Sequence, residues 1–210
     1  MDSVLSIDDV RRASELLDTP RDDALAPDLD ALRGHLTELT ARRGHPQLTL
    51  AVEHLAATHR HGEPAAWIGG SNSLLYPVDA DGWNLDWSAL AVIRLAGPNR
   101  AARAADRLLR SGAFGLVVVD LVGLDDLFLP DALTGRLLRL ADTHDSAVLF
   151  LTRSRRSSPS LSSMIALRIR ARWDRTDAAR LRLSCTVTKD KRRGPGRAFE
   201  EVYDGPLGLR

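Results

Sequence analysis

Two uninterrupted aliphatic runs constrain the fold of this chain more than any other feature. Residues 116–119 are only leucine and valine, and residues 147–151 are equally apolar along their whole length. A strand without a polar side is buried on both faces, as strands are in a parallel sheet that helices cover. Helical patterns at 99–111 and 133–144 precede the two runs. The sequence therefore predicts an α/β domain with a mainly parallel central sheet flanked by helices.

The alternation of strands and helices continues on both sides of these runs. Strands are expected at 36–39 and 65–68, with a helix at 47–60 between them. In the last third, residues 167–173 and 180–187 alternate apolar and polar positions with period two. This pattern predicts an antiparallel C-terminal extension with one solvated, arginine-bearing face.

The N-terminal part is predicted to be separate from the core domain. Residues 6–17 indicate a short helix capped by Ser6, and residues 19–27 are typical of a linker. We therefore assign residues 1–30 to an N-terminal helix and linker, and residues 31–210 to one core domain. The helix is expected to dock on a partner or on its own core through Val4, Val10, Leu16 and Leu17.

Composition excludes several classes of protein. A net charge of +1 gives no global basic field that would indicate a nucleic-acid-binding protein. Residues 153–182 nevertheless contain nine arginines and only two acids, Asp174 and Asp177. The lone Cys185 excludes an internal disulfide and suits a reducing cytoplasm. No apolar run approaches the ~20 residues of a membrane span, and no signal peptide is expected.

The segment between the first predicted strand and helix has the frame of a phosphate-binding loop without its ligands. Such a loop reads G-x-x-x-x-G-K-[ST], where backbone N–H groups cradle phosphates, the lysine reaches the outer phosphates and the hydroxyl holds magnesium. Counted from the strand without gaps, these places hold Ala41, Pro46, Gln47 and Leu48. Proline has no N–H, glutamine is neutral, and leucine cannot ligate a metal. A shorter loop anchored on Gly44 would put His45 and Pro46 in the last two places, which is no better.

Around this loop the chain resembles the RecA recombinase core, and within it most the short ImuA-like branch. The resemblance covers roughly residues 30–208 and includes the strand and helix around the loop, the second strand and the Walker B strand. Its closest part, 107–120, resembles the family's helix, R-S-G-A turn and Walker B strand ending at Asp120. The matching pieces keep the family's order, at 34–39, 49–57, 63–68, 74–86, 107–120 and 189–195.

The departures from the family concern its catalytic residues. The family's catalytic glutamate falls at Ser71, and its nucleotide-sensing glutamine falls at Arg153. Phosphoryl transfer depends on positioning by lysine and metal and on charge neutralisation. The resemblance, with these substitutions, implies a RecA-like fold without ATPase activity, catalytic residues, cofactor or metal.

The resemblance also implies a function and partners. ImuA-like proteins act with an ImuB-like Y-family protein and an error-prone polymerase of the DnaE type in damage-induced translesion synthesis. The first hypothesis is thus a non-catalytic adaptor of the bacterial cytoplasm, associated with the nucleoid, with RecA as a further candidate partner. The second is a DNA-stimulated ATPase with an atypical loop. The third is a RecA-binding regulator that caps or blocks filaments.

Two groups of basic residues are the candidate contacts with DNA or a partner. One group lies where the recombinases have a mobile DNA-binding loop, and comprises Arg153, Arg155 and Arg156. Its composition suits weak, sequence-independent phosphate contacts, but it has no aromatic residue to stack bases, and a solvated loop is an equal alternative. The other group resembles the family's basic turn before the final strands, and comprises Lys189, Lys191, Arg192 and Arg193.

Other polar and aromatic residues have simpler interpretations. His59 and His61 are favoured as a surface pair at a helix end rather than metal ligands. Asp120 is interpreted as a residual acid at a strand end, and Asp125 and Asp126 as a solvated loop. Among the tryptophans, Trp67 is predicted to lie in the core, and Trp83 and Trp87 to pack the connection after Pro77.

Overall fold

One eight-stranded sheet organises the part of the chain that the computed structural model describes. That part comprises residues 26–73, 75–95, 97–124, 127–153, 158–175 and 180–204. The predicted helix at 6–17 lies outside the described residues. The strands are β1 Leu36–Ala41, β2 Ala65–Gly69, β3 Leu90–Arg94, β4 Leu116–Asp120, β5 Ala147–Arg153, β6 Leu167–Arg175, β7 Arg180–Asp190 and β8 Ala198–Asp204.

Helices cover both faces of this sheet. They are α1 Leu29–Leu32, α2 Pro46–Arg60, α3 Pro98–Arg110 and α4 Asp131–Thr143, with 3₁₀ turns at Pro77–Trp83 and Trp87–Ala89. Proline occupies the first position of α2 and of α3, where its missing N–H costs no helical hydrogen bond. Within the described residues, no helix has the length and apolar character needed to cross a membrane.

The sheet is parallel across most of its width. Its strand order is β3-β2-β4-β5-β1-β6-β7-β8. Pairings from β3 to β6 are all parallel, whereas β7 is antiparallel to both β6 and β8. The predicted α/β class with a mainly parallel sheet and antiparallel C-terminal strands is confirmed.

The central strands are buried on both faces, as their apolar sequences predicted. Every residue of β4 is buried. Side chains alternate between two apolar clusters, so that Val118 packs on the α2 side and Val117 on the side of α3 and α4. Trp67 on β2 is fully buried in the first cluster, which confirms its predicted place in the core.

Three sequence-based expectations need correction. Strand β3 was not predicted, because it is a short edge strand whose positions are mostly half-exposed or exposed. Strand β6 was expected in a purely antiparallel extension, yet it pairs in parallel with β1; the connection at 154–166 is long enough for such a crossover. Trp83 does pack against the core, but Trp87 is 41 % exposed and not packed as predicted.

The first described residues pack on the core. Ala26 contacts the apolar cluster on the α2 side, and Leu29 and Leu32 of α1 are buried in it. The Asp28 carboxylate accepts a hydrogen bond from the Ala31 backbone N–H at 2.9 Å and so caps α1.

A shared tyrosine joins α2 to the C-terminal strand. The Tyr203 hydroxyl on β8 contacts the carboxyl groups of both Glu53 on α2 and Glu201 on β8. A hydroxyl has one proton to donate, so one carboxyl group must carry a proton to complete both contacts. Burial, with the nearby charge of Glu201, raises the pKa of Glu53 to about 7, although the hydrogen bond from Tyr203 opposes this change.

We expect this raised pKa to make folding stability fall with increasing pH. The contribution of protonated Glu53 is fully present below pH 4.5 and is lost as the pH rises through about 7. Glu53→Gln removes the titration and should stabilise the protein at pH 8 by about 1–3 kcal/mol relative to wild type, with a smaller difference at pH 5. Urea unfolding at both pH values measures this. Glu200→Gln, an exposed site on the same strand, is the control, and an equal effect of Glu53→Gln at both pH values would contradict the expectation.

Candidate functional site

The carboxyl ends of β1, β4 and β5 meet at one edge of the sheet. Binding sites of open α/β sheets lie at this edge, where the loops after the strands come together. A cleft of about 690 Å³ opens here, and we call it the edge cleft. Its charged lining residues are Glu38, Arg42, Arg153 and Arg168, and segment 158–161 forms one wall.

Residues 42–45 connect β1 directly to α2 at this edge. We call this segment the degenerate loop, because the sequence predicts the frame of a phosphate-binding loop here without its ligands. Gly44 has φ of 71° and His45 has φ of 51°, so two successive residues adopt the left-handed conformation before Pro46 begins the helix. This places residues 42–45 between a buried parallel strand and a helix N-terminus. A phosphate-binding loop occupies the same position in its own fold.

Four side chains stand at the positions that the sequence motif assigns to phosphate and metal ligands, and all four pack against the rest of the protein. Ala41, Pro46 and Gln47 are buried, and Leu48 packs against the apolar cluster on the α2 side. The Gln47 amide makes a long hydrogen bond of 3.5 Å to the Thr152 backbone oxygen. The Leu48 N–H donates to the His45 carbonyl at 3.0 Å. None of these four side chains offers a cation or a hydroxyl to a nucleotide.

Asp120 at the end of β4 is held by protein donors. It is buried, and its carboxylate accepts hydrogen bonds from the Ser73 hydroxyl at 2.8 Å and the Val122 N–H at 3.1 Å. The Trp67 indole N–H in turn donates to the Ser73 oxygen at 2.8 Å. The chain Trp67–Ser73–Asp120 therefore ties the turn after β2 to the turn after β4. Ser71 lies exposed in the same turn.

The Trp67–Ser73–Asp120 hydrogen bonds require a glycine at the end of β2, because Ser73 packs directly against that residue. A Cβ atom placed on Gly69 would lie 2.5 Å from the Ser73 hydroxyl oxygen. Such an approach is too short for any side chain, so Gly69 is needed for Ser73 to reach Asp120.

A buried ion pair lies on the floor of the edge cleft. Glu38 of β1 and Arg168 of β6 are both buried, and their Oε2 and Nε atoms are 3.2 Å apart. Glu38 also accepts hydrogen bonds from the Thr152 hydroxyl at 2.8 Å and from the Leu161 N–H at 3.0 Å. The Arg168 guanidinium donates to the Ser158 carbonyl at 2.8 Å. The pair thus holds segment 158–161 against the sheet.

Sequence reasoning missed this pair. Arg168 was expected on the solvated face of the extension, and the structure places it among the buried residues instead. The signal was Glu38, a carboxylate inside a strand that is otherwise buried, because a buried charge requires a partner. Nothing in the sequence pattern identified that partner among the many arginines.

Lys189 also anchors the segment that forms the wall of the edge cleft. It belongs to β7 rather than to the exposed turn where it was predicted. Its ammonium group donates to the Ser160 hydroxyl and to the carbonyls of Ser162 and Ser163, at 3.2 to 3.4 Å. Burial, and then the charge of Lys191, lowers the pKa of Lys189. Lys189 therefore acts as an internal tether of the 158–163 segment.

The basic residues predicted to contact DNA or a partner lie in two separate places. At the edge cleft, Arg42 and Arg153 are exposed and make no ion pair with the described residues; Arg155 and Arg156 lie outside those residues. Lys191, Arg192 and Arg193 form an exposed turn after β7, which we call the basic turn. Because Asp190 pairs with Leu167 at the start of β6, the basic turn lies at the amino edge of the sheet, opposite the edge cleft.

The described residues contain no group of three or more histidine, cysteine, aspartate or glutamate side chains that could hold a metal ion. His59 accepts a hydrogen bond from the Asp86 N–H at 3.0 Å, and burial lowers its pKa; His61 is exposed at the end of α2. Asp125 and Asp126 lie outside the described residues. A scan against protein-family models gives no match, and a search of curated proteins gives no significant match.

We expect removal of one partner of the Glu38–Arg168 pair to destabilise the fold strongly. Glu38→Ala would leave the Arg168 guanidinium buried without its carboxylate and should cost about 3–5 kcal/mol. The double variant Glu38→Leu/Arg168→Met replaces both charges by apolar groups and should lose less. Guanidinium unfolding of the three proteins measures this, and a double variant less stable than Glu38→Ala would contradict it.

Proposed function

We propose that this chain is a RecA-like adaptor without ATPase activity that acts in damage-induced, error-prone translesion DNA synthesis. Its proposed partners are an ImuB-like Y-family protein, an error-prone DnaE-type polymerase and RecA. The observation that carries the proposal is the β1–loop–α2 unit. It has the position of a phosphate-binding loop, and its four ligand positions are occupied by packed side chains.

The arrangement of the other strands supports a RecA-like frame. The segments that resemble the family's second strand, Walker B strand and sensing strand form β2, β4 and β5, which are neighbours in the sheet. Asp120 and Arg153, at the ends of β4 and β5, face the same edge as the degenerate loop. This adjacency supports the proposal of a RecA-like frame.

The residues at this edge also support a non-catalytic role. Phosphoryl transfer needs a lysine on the phosphates, a bound magnesium ion and a group that positions the nucleophile. Here Gln47 and Leu48 are packed internally, Asp120 is bonded to Ser73 and Val122, and Ser71 stands in the place of the base. No residue in these places supplies the missing chemistry.

The separation of the basic groups suits an adaptor. A protein that joins two partners needs two surfaces that can be occupied at the same time. Arg42 and Arg153 at the edge cleft, and the basic turn at the opposite edge, provide such a pair. Arginine binds carboxylate and phosphate equally well, so each surface can receive DNA or an acidic protein segment.

We expect charge reversal to separate the two surfaces. Arg42→Glu/Arg153→Glu changes the edge cleft, and Arg192→Glu/Arg193→Glu changes the basic turn by the same charge. Binding of a purified ImuB-like protein and of single-stranded oligothymidylate is measured for both variants by biolayer interferometry. We expect at least one of the two ligands to bind at least about tenfold more weakly to one variant, and with wild-type affinity to the other. Each variant is therefore the matched control of the other.

Salt dependence distinguishes the ligands. If the edge cleft or the basic turn contacts DNA, affinity should fall steeply with salt, because phosphate contacts release counterions. Unchanged affinity of both variants for both ligands would contradict the proposal, and the basic residues would then form only a solvated surface.

A further inference from the structure

A third basic surface lies between α3 and α4, and it shares no lining residue with the edge cleft or the basic turn. A groove of about 820 Å³ runs between the two helices. We call it the arginine groove, and it is lined chiefly by Arg100, Arg103, Arg107, Pro130, Leu133 and Arg136. None of these residues belongs to the degenerate loop or to the proposed contact surfaces.

The charge of the groove is unbalanced. Among the described residues, Asp106 of α3 is the only acidic residue that lines the groove, and it is buried. That carboxylate already pairs with Arg136 at 2.5 Å and with Arg110 at 3.1 Å. Arg100, Arg103 and Arg107 are exposed and make no ion pair or hydrogen bond with the described residues. Three guanidinium groups therefore line the groove without a counter-charge from the part of the chain that the structure describes.

Arg100 and Arg103 are not favourable placements for the stability of α3, although Arg107 stands in its last turn, where a cation suits the helix dipole. The three arginines follow one another at spacings of three and four residues, so they lie as neighbours on one helix face. Like charges at this spacing destabilise a helix, and cations near its N-terminus oppose the helix dipole. Arg100 stands in the first turn of α3, where both effects act. Pairing within the described residues does not account for this row of arginines, whereas an anionic ligand would.

The direction of the helices strengthens the preference for an anion. α3 joins β3 to β4 and α4 joins β4 to β5, and these strands are parallel, so the two helices run in the same direction. Arg100 and Arg103 lie in the N-terminal half of α3, whereas Arg107 lies in its last turn. The groove residues 130–136 lie at the start of α4. The positive ends of two helix dipoles thus add to the arginine charges.

The groove also has an apolar component. Pro130, Ala132 and Leu133 line it beside the arginines, and Phe128, 72 % exposed, lies two residues before Pro130. The charged phosphates of a nucleic acid do not match such a lining, and apart from the neighbouring Phe128 the described groove residues include no aromatic ring on which a base could stack. A peptide with both acidic and apolar side chains complements both components.

The size of the groove agrees with a short peptide. Arg100 and Arg107 are separated by about 10 Å along α3. Alternate side chains on one face of an extended peptide are about 7 Å apart, so two or three acids can face the arginine row. We propose that the arginine groove binds a short segment of a partner protein that carries acidic residues together with large apolar ones. This proposal is independent of the function proposed above.

A random-peptide phage library provides the probe. The library is panned on the full chain after removal of phage that bind the variant Arg100→Gln/Arg103→Gln/Arg107→Gln. The enriched peptides should be rich in aspartate or glutamate with leucine, isoleucine or phenylalanine. An enriched peptide is then synthesised with a fluorescent label, and its affinity is measured by anisotropy.

The expected affinities follow from the charge-assisted contacts. The triple glutamine variant should bind the labelled peptide at least about 100-fold more weakly than wild type. The control Arg43→Gln/Arg60→Gln/Arg175→Gln removes the same charge at exposed positions outside the groove and the proposed contact surfaces, and it should bind within about threefold of wild type. The triple groove variant should also melt at or above the wild-type temperature, because it relieves like-charge repulsion.

Three results would overturn the proposal. The first is an enrichment of peptides without excess acidic residues. The second is an equal loss of affinity in the groove variant and its control. The third is tighter binding of single-stranded oligothymidylate than of the enriched peptide to the same arginines, which would identify the groove as a nucleic-acid site.

Discussion

A carboxylate inside the central sheet requires a cation, and this requirement links the two halves of the structure. Glu38 stands in β1, between the parallel strand β5 and the strand β6 at which the antiparallel part begins. Thr152 from one neighbour and Arg168 from the other complete its contacts, and segment 158–161 is bonded to the same pair. The crossover from β5 to β6 is therefore fixed at the floor of the edge cleft. The position of the cleft depends on a buried charge and not only on apolar packing.

The sequence predicted the central strands well because each is specified by its own residues. The apolar runs in β4 and β5 leave no other solution than burial on both faces. The direction of β6 depends on how the chain returns after β5, and the short edge strand β3 has too weak a pattern to identify. Such features result from tertiary contacts that local periodicity does not contain.

The candidate site was predictable in part for the same reason. Position along the chain was enough to identify the degenerate loop and the acid at the end of β4. The hydrogen-bond and ion-pair partners of these residues were not predictable. Lys189 was expected in an exposed turn, but it donates hydrogen bonds to three serine residues. Arg168 was expected on a solvated face, but it pairs with Glu38. The chain has many arginines, and only three-dimensional contacts distinguish those that stabilise the fold from Arg100, Arg103 and Arg107. These three have no ion-pair partner among the described residues. Exposed arginines without such a partner are the ones available to ligands.

We propose that the loop and helix after β1 share the frame of a nucleotide-binding protein but are packed internally and have no catalytic role. Isothermal calorimetry of the full chain with ATP and magnesium tests it most directly, with a Gln47→Lys variant beside it. Because Pro46, Gln47 and Leu48 pack internally, the account predicts no heat of binding at physiological ATP concentration for wild type, and no ATP hydrolysis by the variant, since Ser71 is no base. A dissociation constant in the micromolar range for the wild-type chain would contradict it.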